Sequence, residues 1–203
     1  EWTEAGVDGA WKFSQRVWRL VSDNFDKLQG DAANASEATD KAAIALRKSV
    51  HRTVQGIADD IEAFTFNKSV ARLHELTSEI SKYLASGNVD ASVAKEAVEY
   101  LCQAMAPLMP HLAEEIWAAL ANDTMLVETA WPSIEPKLLV DDEVTMPVQV
   151  NGKVRANIQV AKTLSKDEIE TIALNDPSVV KFLDGATLKK IIVVPGRIVN
   201  LVV

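Results

Sequence analysis

The sequence contains one cysteine, Cys102, in 203 residues. A lone cysteine excludes an internal disulfide framework and fits a reducing, cytoplasmic compartment. Long apolar runs are also missing, since every stretch falls well short of the ~20 apolar residues that span a bilayer. No membrane helix and no membrane partner are therefore expected. The acidic opening Glu1 to Ala10 has no apolar h-region, so it is not expected to be a secretory signal. Histidine is scarce, and His51, His74 and His111 stand at no zinc spacing with Cys102. A His-Glu-x-x-His helix, a Walker A loop, a Gly-rich dinucleotide fingerprint and a nucleophile elbow are all lacking. The acid pairs Asp59-Asp60, Glu114-Glu115 and Asp141-Asp142 are adjacent in sequence, so on a helix their side chains diverge by about 100°. They read as solvated faces, and His111 with Glu115 as a surface pair beside Pro110. No catalytic residue and no metal ligand is expected. Positive charge is in deficit: the net charge is −8 and the pI about 4.9. That argues against indiscriminate nucleic-acid binding, DNA included, and leaves room only for a local basic patch.

What is present is a globular composition, 48% hydrophobic and 25% charged. At this mass about 70% of the unfolded surface can be buried, enough for one large or two small domains. Charge and aromatics are unevenly spread. Residues 1–135 carry 12 Lys/Arg against 21 Asp/Glu and hold all five Trp and both Tyr. Residues 136–203 carry 9 against 8, and Phe182 is their one aromatic. The change falls at Trp131-Pro132-Ser133-Ile134-Glu135-Pro136, where two prolines favour an extended connector. The expected organisation is a domain over 1–135, a linker over 136–143 and a domain over 144–203.

The first domain predicts a helical bundle. Trp11, Ser14, Val17, Trp18, Val21, Phe25 and Leu28 step by three and four and share one helix face. Ala43, Leu46, Val50, Thr53/Val54, Ile57, Ile61 and Phe64 repeat the pattern over ~33 Å. Val70, Leu73, Thr77, Ile80 and Leu84 form a third stripe, with Asn67 as its N-cap and Gly87 as a left-handed stop. Asp90 is placed to cap a fourth helix carrying Val93, Ala97, Leu101 and Met105, which Pro107 must end or kink. Pro110 suits the first turn of a fifth, with Leu112, Ile116, Trp117 and Leu120. Trp18 and Trp117 are assigned to core packing. Residues 29–37 are small and polar and read as a mobile loop.

The second domain predicts a small α+β fold. Val144 to Val150 and Lys153 to Val160 flank Asn151-Gly152, the strongest short hairpin signal. Ser165 with Glu168 forms a capping-box pattern. Asp176-Pro177 starts a second short helix that halts at Asp184-Gly185. Leu188 to Val194 and Arg197 to Val203 pair around Pro195-Gly196. The order β-β-α-α-β-β lays helices over one face of a four-stranded, mostly antiparallel sheet. The fold class is therefore a mostly α-helical bundle followed by a small α+β domain. About 60 residues make a marginal core, expected to be less stable than the bundle.

Basic positions carry most of the functional signal. Lys12, Arg16 and Arg19 step by four and three beside the first apolar stripe. Lys48 and Arg52 are four apart, as are Arg47 and His51, making a second candidate band; its plain alternative is a solvated face. The late acids Asp59, Asp60 and Glu62 are not explained by the helix dipole, which favours bases there. Lys153 and Arg155 are two apart on a strand and share a face. Lys189 and Lys190 precede the second tight turn and Arg197 follows it. This set suits a sugar-phosphate backbone. With one aromatic it cannot stack a series of unpaired bases, so RNA recognition would rest on shape and backbone. The alternative is a helical adaptor that binds protein partners through an apolar patch and never touches RNA.

Longer motifs carry a resemblance. Residues 1–13, Glu-Trp-Thr-Glu-Ala-Gly-Val-Asp-Gly-Ala-Trp-Lys-Phe, leading into Arg16-Val17-Trp18-Arg19-Leu20, resemble the entry to the anticodon-binding bundle of bacterial leucyl-tRNA synthetases. Met105 to Trp117 resembles the Pro-His-x-x-Glu-Glu-x-Trp helix of class I synthetases for aliphatic amino acids. Val148-Gln-Val-Asn-Gly-Lys-Val-Arg155 and Lys190-Ile-Ile-Val-Val-Pro-Gly-Arg-Ile-Val-Asn200 are similar to the small C-terminal domain of the leucine enzymes, and disfavour the isoleucine and valine enzymes. The resemblance covers essentially the whole chain. It implies the C-terminal part of a longer ligase that activates leucine with ATP and Mg and transfers it to tRNA. The family's His-Ile-Gly-His and Lys-Met-Ser-Lys-Ser motifs do not occur, so this part is expected to be catalytically inactive and to bind no cofactor. Its implied partners are leucine-accepting tRNA and the catalytic and editing domains of the parent chain. Carried over, Asn151, Lys153, Arg155, Lys189, Lys190 and Arg197 are the expected contacts to the tRNA elbow and long variable arm. Lys12, Arg16, Arg19, Lys48 and Arg52 are the expected contacts along the stem.

Overall fold

The computed structural model describes residues 3–140, 143–183 and 188–203. The chain divides into two units, Glu1–Leu139 and Val140–Val203. The first is helical: α1 (Glu4–Ser22), α2 (Lys41–Glu62), α3 (Phe66–Leu84), α4 (Ala91–Met105), α5 (Pro110–Ala119) and a single turn, α6 (Pro136–Leu139). Side-chain oxygens close three of the N-termini. Thr3 accepts from Gly6 N–H, Asp40 from Ala42 and Ala43, and Asp90 from Ser92 and Val93. No described helix is long and apolar enough to cross a membrane.

Helix α4 is the centre of the bundle. Val93, Ala94, Ala97, Val98, Leu101, Cys102, Ala104 and Met105 are all buried, so most of its circumference is packed. Its alanines let α2, α3 and α5 approach closely. Burial, with the nearby Glu99 charge adding to it, pushes the Cys102 thiol well above its ordinary range and leaves it inert.

Several local expectations fail for identifiable reasons. The core stripe of α1 is Phe13, Val17, Leu20 and Val21. Trp11 is 63% exposed and Trp18 38%, so Trp18 is not a core residue, whereas Trp117 is buried. A 3.6-residue period leaves room for two neighbouring stripes, and the two tryptophans lie on the outer one. Helix α3 starts after Thr65, not Asn67, and Val70 is exposed. Gly87 does not take the left-handed region. Helix α3 ends at Leu84, with Ala85 as its right-handed C-cap, where Ala85 N–H donates to Ser81 O and Ser86 N–H to Tyr83 O. The left-handed residue ends α2 instead: Phe64 has φ +55° and is exposed, and Thr65 N–H bonds Asp60 O across it.

The loop read as mobile, 29–37, is built into the bundle. Residues Ala32–Glu37 form a 3₁₀ helix with Ala35 buried. Gly30 lies so close to the start of α4 that a Cβ there would meet Ser92 N at 2.3 Å and Ala91 C at 2.4 Å. Gly30 is small because backbone passes backbone.

The expected linker over 136–143 also begins folded. Pro136 starts α6 and Leu138 is buried against the first unit. The irregular segment before it is tied down, with Gln103 Nε2 donating to Ala130 O (3.1 Å) and the Tyr100 hydroxyl to Ser133 O (2.9 Å). Asp141-Asp142 lie outside the described residues, as does the expected stop at Asp184-Gly185.

The second unit has β1 (Glu143–Val150), β2 (Lys153–Ala161), α7 (Lys166–Asn175), α8 (Pro177–Leu183), β3 (Lys190–Val194) and β4 (Ile198–Val202). The sheet order is β2-β1-β4-β3. The two hairpins are antiparallel and the central pair β1/β4 is parallel, so the sheet is mostly antiparallel as expected. Asn151 (φ +48°) and Gly152 (φ +79°) supply the two positive φ values of a primed hairpin turn. The capping box of α7 is formed by Ser165 and Glu168. Met146, Val148, Val150, Ile158, Val160, Val199 and Leu201 face Ile169, Ala173 and Val179 of the helices.

Candidate nucleic-acid interface

In the first unit Lys12, Arg16 and Arg19 line one groove, with Thr77 and Ser81 of α3 on its far side. All three cations are exposed on α1. They are not equivalent. Lys12 Nζ is 2.6 Å from Asp8 Oδ2, one turn earlier, and shares its charge with that carboxylate. Arg16 is held in place: its guanidinium donates to His74 Nδ1 at 2.9 Å and lies 5.3 Å from the Phe13 ring. His74 in turn stacks on Phe13, with centroids 4.0 Å apart. Burial, and then the charge of Arg16, hold the His74 pKa below its ordinary value. The ring thus remains a neutral acceptor near pH 7, and Arg16 keeps its charge facing the groove. His74 was not legible as a partner, because its contact with Arg16 joins helices 58 residues apart in sequence.

Lys48 and Arg52 lie on α2, do not line this groove, and are half-buried among interactions of their own. The band read over 47–52 is not a free surface. Arg47 and His51 are buried. Arg47 Nε and Nη2 donate to the two oxygens of Glu96 at 2.6 and 2.8 Å, and Nη2 also reaches Glu135. Glu135 N–H donates to His51 Nδ1 at 3.2 Å. His51, Glu96 and Glu135 bring potential ligand atoms within 4.8 Å of one another. The cations that this group already holds are the Arg47 guanidinium and, at Glu135, the Lys137 ammonium, which together balance its two carboxylates. Two of the acids read as solvated also turn inward. Asp60 is buried and accepts from Arg72 Nε at 2.8 Å, which explains the late acid on α2. Glu114 accepts from the N–H groups of Leu126 and Val127.

In the second unit the turn residues and the start of β3 gather at one end of the sheet. Lys153 pairs with Val150, Val150 with Leu201, and Leu201 with Ile191, next to Lys190. Lys189 N–H donates to Val202 O at the same end. Lys153 and Lys190 are thus three strand spacings apart, about 14 Å, too far for one phosphate to bridge. Asn151 is occupied structurally, since its side-chain oxygen accepts from Val203 N–H at 3.2 Å. The Asn200 side chain accepts from Gly152 N–H at 3.3 Å. Together they lash the turn to the end of β4.

Arg155 and Arg197 depart from the simple pattern. The register slips between Val148 and Gln149, which face Ala156 and Val154, so Arg155 is the extra residue of a bulge. Its guanidinium lies 4.4 Å from the centroid of Phe182 on α8. Arg155 nonetheless remains exposed. Arg197 sits in the Pro195-Gly196 turn at the opposite end of β4, about 16 Å away along the strand. The six residues therefore form a cluster of Asn151, Lys153, Lys189 and Lys190, with Arg155 beside it and Arg197 apart.

A family model described as the anticodon-binding domain of tRNA ligase matches residues 44–171. Over its full length the chain is 44% identical to the leucine–tRNA ligase of Azorhizobium caulinodans and 42% identical to that of Paramagnetospirillum magneticum. It covers 24% and 23% of those proteins, so it spans about a quarter of the curated relatives it matches. A LeuRS of Agrobacterium radiobacter K84 (agnB2), solved as a ternary complex with tRNA and LeuAMS, superposes with a TM-score of 0.77 at 25% identity. That superposition covers 100% of this chain and 26% of the other. The helical bundle, the small sheet domain and these likenesses agree, and the chain belongs to the anticodon-binding domain family of the tRNA ligases, beside the leucine–tRNA ligases.

Proposed function

We propose that this chain is the tRNA-binding C-terminal part of a leucine–tRNA ligase and contributes contacts to the tRNA without performing chemistry. The observation that carries this reading is likeness to leucine–tRNA ligases across the whole chain, together with a solved relative that holds tRNA. Lys12, Arg16 and Arg19 are the proposed backbone contacts of the first unit. Lys153, Arg155, Lys189 and Lys190 are those of the second, with Arg197 reaching a separate position. Asn151 supports the turn that presents Lys153. Lys48 and Arg52 are secondary contacts, since interactions within the protein already engage them. The parent ligase would act in the cytoplasm on leucine, ATP and leucine-accepting tRNA.

ATP and Mg belong to the missing portion. The two left-handed glycines, Gly152 and Gly196, sit in hairpin turns and cradle no phosphate site. The carboxylates of Glu96 and Glu135 are paired with Arg47 and, at Glu135, with Lys137. The residues described here do not fit either group.

The test is the salt dependence of tRNA binding. Each phosphate neutralised releases counterions, so the affinity falls with log salt in proportion to the contacts made. Lys153→Ala with Arg155→Ala is expected to weaken binding and to flatten that slope by about one to two units. An unchanged slope would remove both residues from the interface.

A further inference from the structure

Trp11 lines the same groove as Lys12, Arg16 and Arg19. Its side chain is largely exposed and adds little to the core. Exposure alone decides nothing, since single apolar side chains are common on surfaces. The neighbours of Trp11 decide more. Trp11, Gln15 and Arg19 step by four along α1 and form one row, with Lys12 and Arg16 in a second row beside it. The groove thus brings an aromatic face, a side-chain amide and three cations together within about 12 Å along the helix axis. Asp8 and Asp23 share it, which leaves three positive charges against two negative ones. That sign is the reverse of residues 1–135, where 21 acids face 12 bases. The space on the other side of Trp11 is lined by Thr3, Glu4, Val7 and Asp8, with two acids and no cation. An anionic ligand therefore approaches Trp11 from the groove side. The groove holds about 690 Å³, inside the ~300–1,000 Å³ of small-ligand sites.

Phosphate binding accounts for the cations but not for the tryptophan. Within a duplex each base is covered by its stacked neighbours, so an aromatic side chain gains from RNA where a base is unstacked. Arg16 is already fixed by its 2.9 Å bond to His74 Nδ1, so its charge is placed before a ligand arrives. The Gln15 amide offers both a donor and an acceptor to a base edge. We propose that this groove is a subsite for one unpaired nucleotide of the bound RNA. The base stacks on Trp11, Gln15 meets its edge, and Lys12, Arg16 and Arg19 take the flanking phosphates. The inference rests on the reading of the chain as the tRNA-binding part of a ligase. It adds that the first unit holds a base out of the stack, beyond following the backbone of a stem.

Salt separates stacking from charge. Stacking releases no counterions, so Trp11→Ala is expected to weaken binding of leucine tRNA about tenfold and to leave the slope of log affinity against log salt unchanged. Trp11→Phe keeps an aromatic face and is expected to recover most of that loss. Arg16→Ala is expected to weaken binding and to flatten the slope by about one unit. A single-stranded RNA hexamer should depend on Trp11 in the same way, and a blunt RNA duplex should not. The titrations use both the 203-residue chain and the intact protein that carries it. The Trp11→Ala chain should melt within about 1 °C of the parent chain, since the substitution is on the surface. Unchanged tRNA binding by Trp11→Ala would overturn the proposal, as would a loss that Trp11→Phe does not recover or one that is equal on the duplex. A Trp11 effect that vanishes in the intact protein would mean that another part of it covers the ring, and would overturn the proposal too. If Arg16→Ala alone weakens binding, the groove follows backbone only: the functional reading stands and the subsite falls. If neither variant changes binding, the groove is no tRNA contact and both fall.

Discussion

Arg47 shows how one residue can read as a surface cation and act as a keystone. Its stem enters between α2 and α4, and the guanidinium is enclosed by Glu96 and by Glu135 of the segment that leads to α6. Burial alone would raise the Glu96 pKa, but the hydrogen bonds from Arg47, with the His51 ring 3.7 Å away adding to them, outweigh it and hold the carboxyl below its ordinary value. Glu135 behaves alike, with burial overcome by Lys137 and Arg47. Removing one partner leaves a buried charge uncompensated, so Glu96→Ala should cost about 3 kcal/mol in chemical denaturation. A cost under about 1 kcal/mol would mean that Arg47 finds water instead. The acid dependence follows from the same shifts. The folded pKa values lie below the unfolded ones, so as pH falls the unfolded chain takes up protons first. The stabilisation is complete above the ordinary carboxylate range and is lost as pH drops through it toward the lowered values. Glu96→Ala should flatten that part of the stability profile.

The elements followed sequence patterns wherever the determinant is local. The Asn151-Gly152 turn, the Ser165–Glu168 capping box and the Asp90 cap depend on residues within four positions of one another. The α4 and α5 boundaries at Pro107 and Pro110 depend on ring sterics. Contacts across the chain were not legible. Residues 29–37 have the composition of a loop, yet Gly30 fits against the backbone of Ala91 and Ser92. That fit predicts a cost of about 2 kcal/mol or more for Gly30→Ala, since neither side is a flexible side-chain end that can move away. Thermal melts of the variant would check this, and an unchanged midpoint would mean that the loop can lift from α4. The candidate site divides in the same way. The face shared by Lys12, Arg16 and Arg19 was readable from helical spacing. The bulge at Arg155 was not, because apolar alternation does not show a register slip against Val148 and Gln149, and the distance of Arg197 was not, because it depends on the distant pairing of Val148 with Val199.

At the scale of the molecule, the two units differ in what holds them. The first surrounds α4 on most sides, whereas the second buries one face of a four-stranded sheet under two short helices. Smaller domains bury a smaller fraction of their surface. The second unit should therefore open first. Amides of β1 and β4 should exchange through a lower-energy opening than those of α4, and equal protection would indicate one cooperative unit. The charge distribution has a second consequence. A chain of net charge −8 gains little from general attraction to nucleic acid, so the proposed tRNA binding rests on the placed cations and on shape.

A titration of the chain with leucine tRNA and with a tRNA that lacks a long variable arm, each at two salt concentrations, tests that claim most directly. Binding that prefers the leucine tRNA and weakens steeply with salt is the predicted result. Salt-insensitive binding, or equal affinity for both tRNAs, would contradict it.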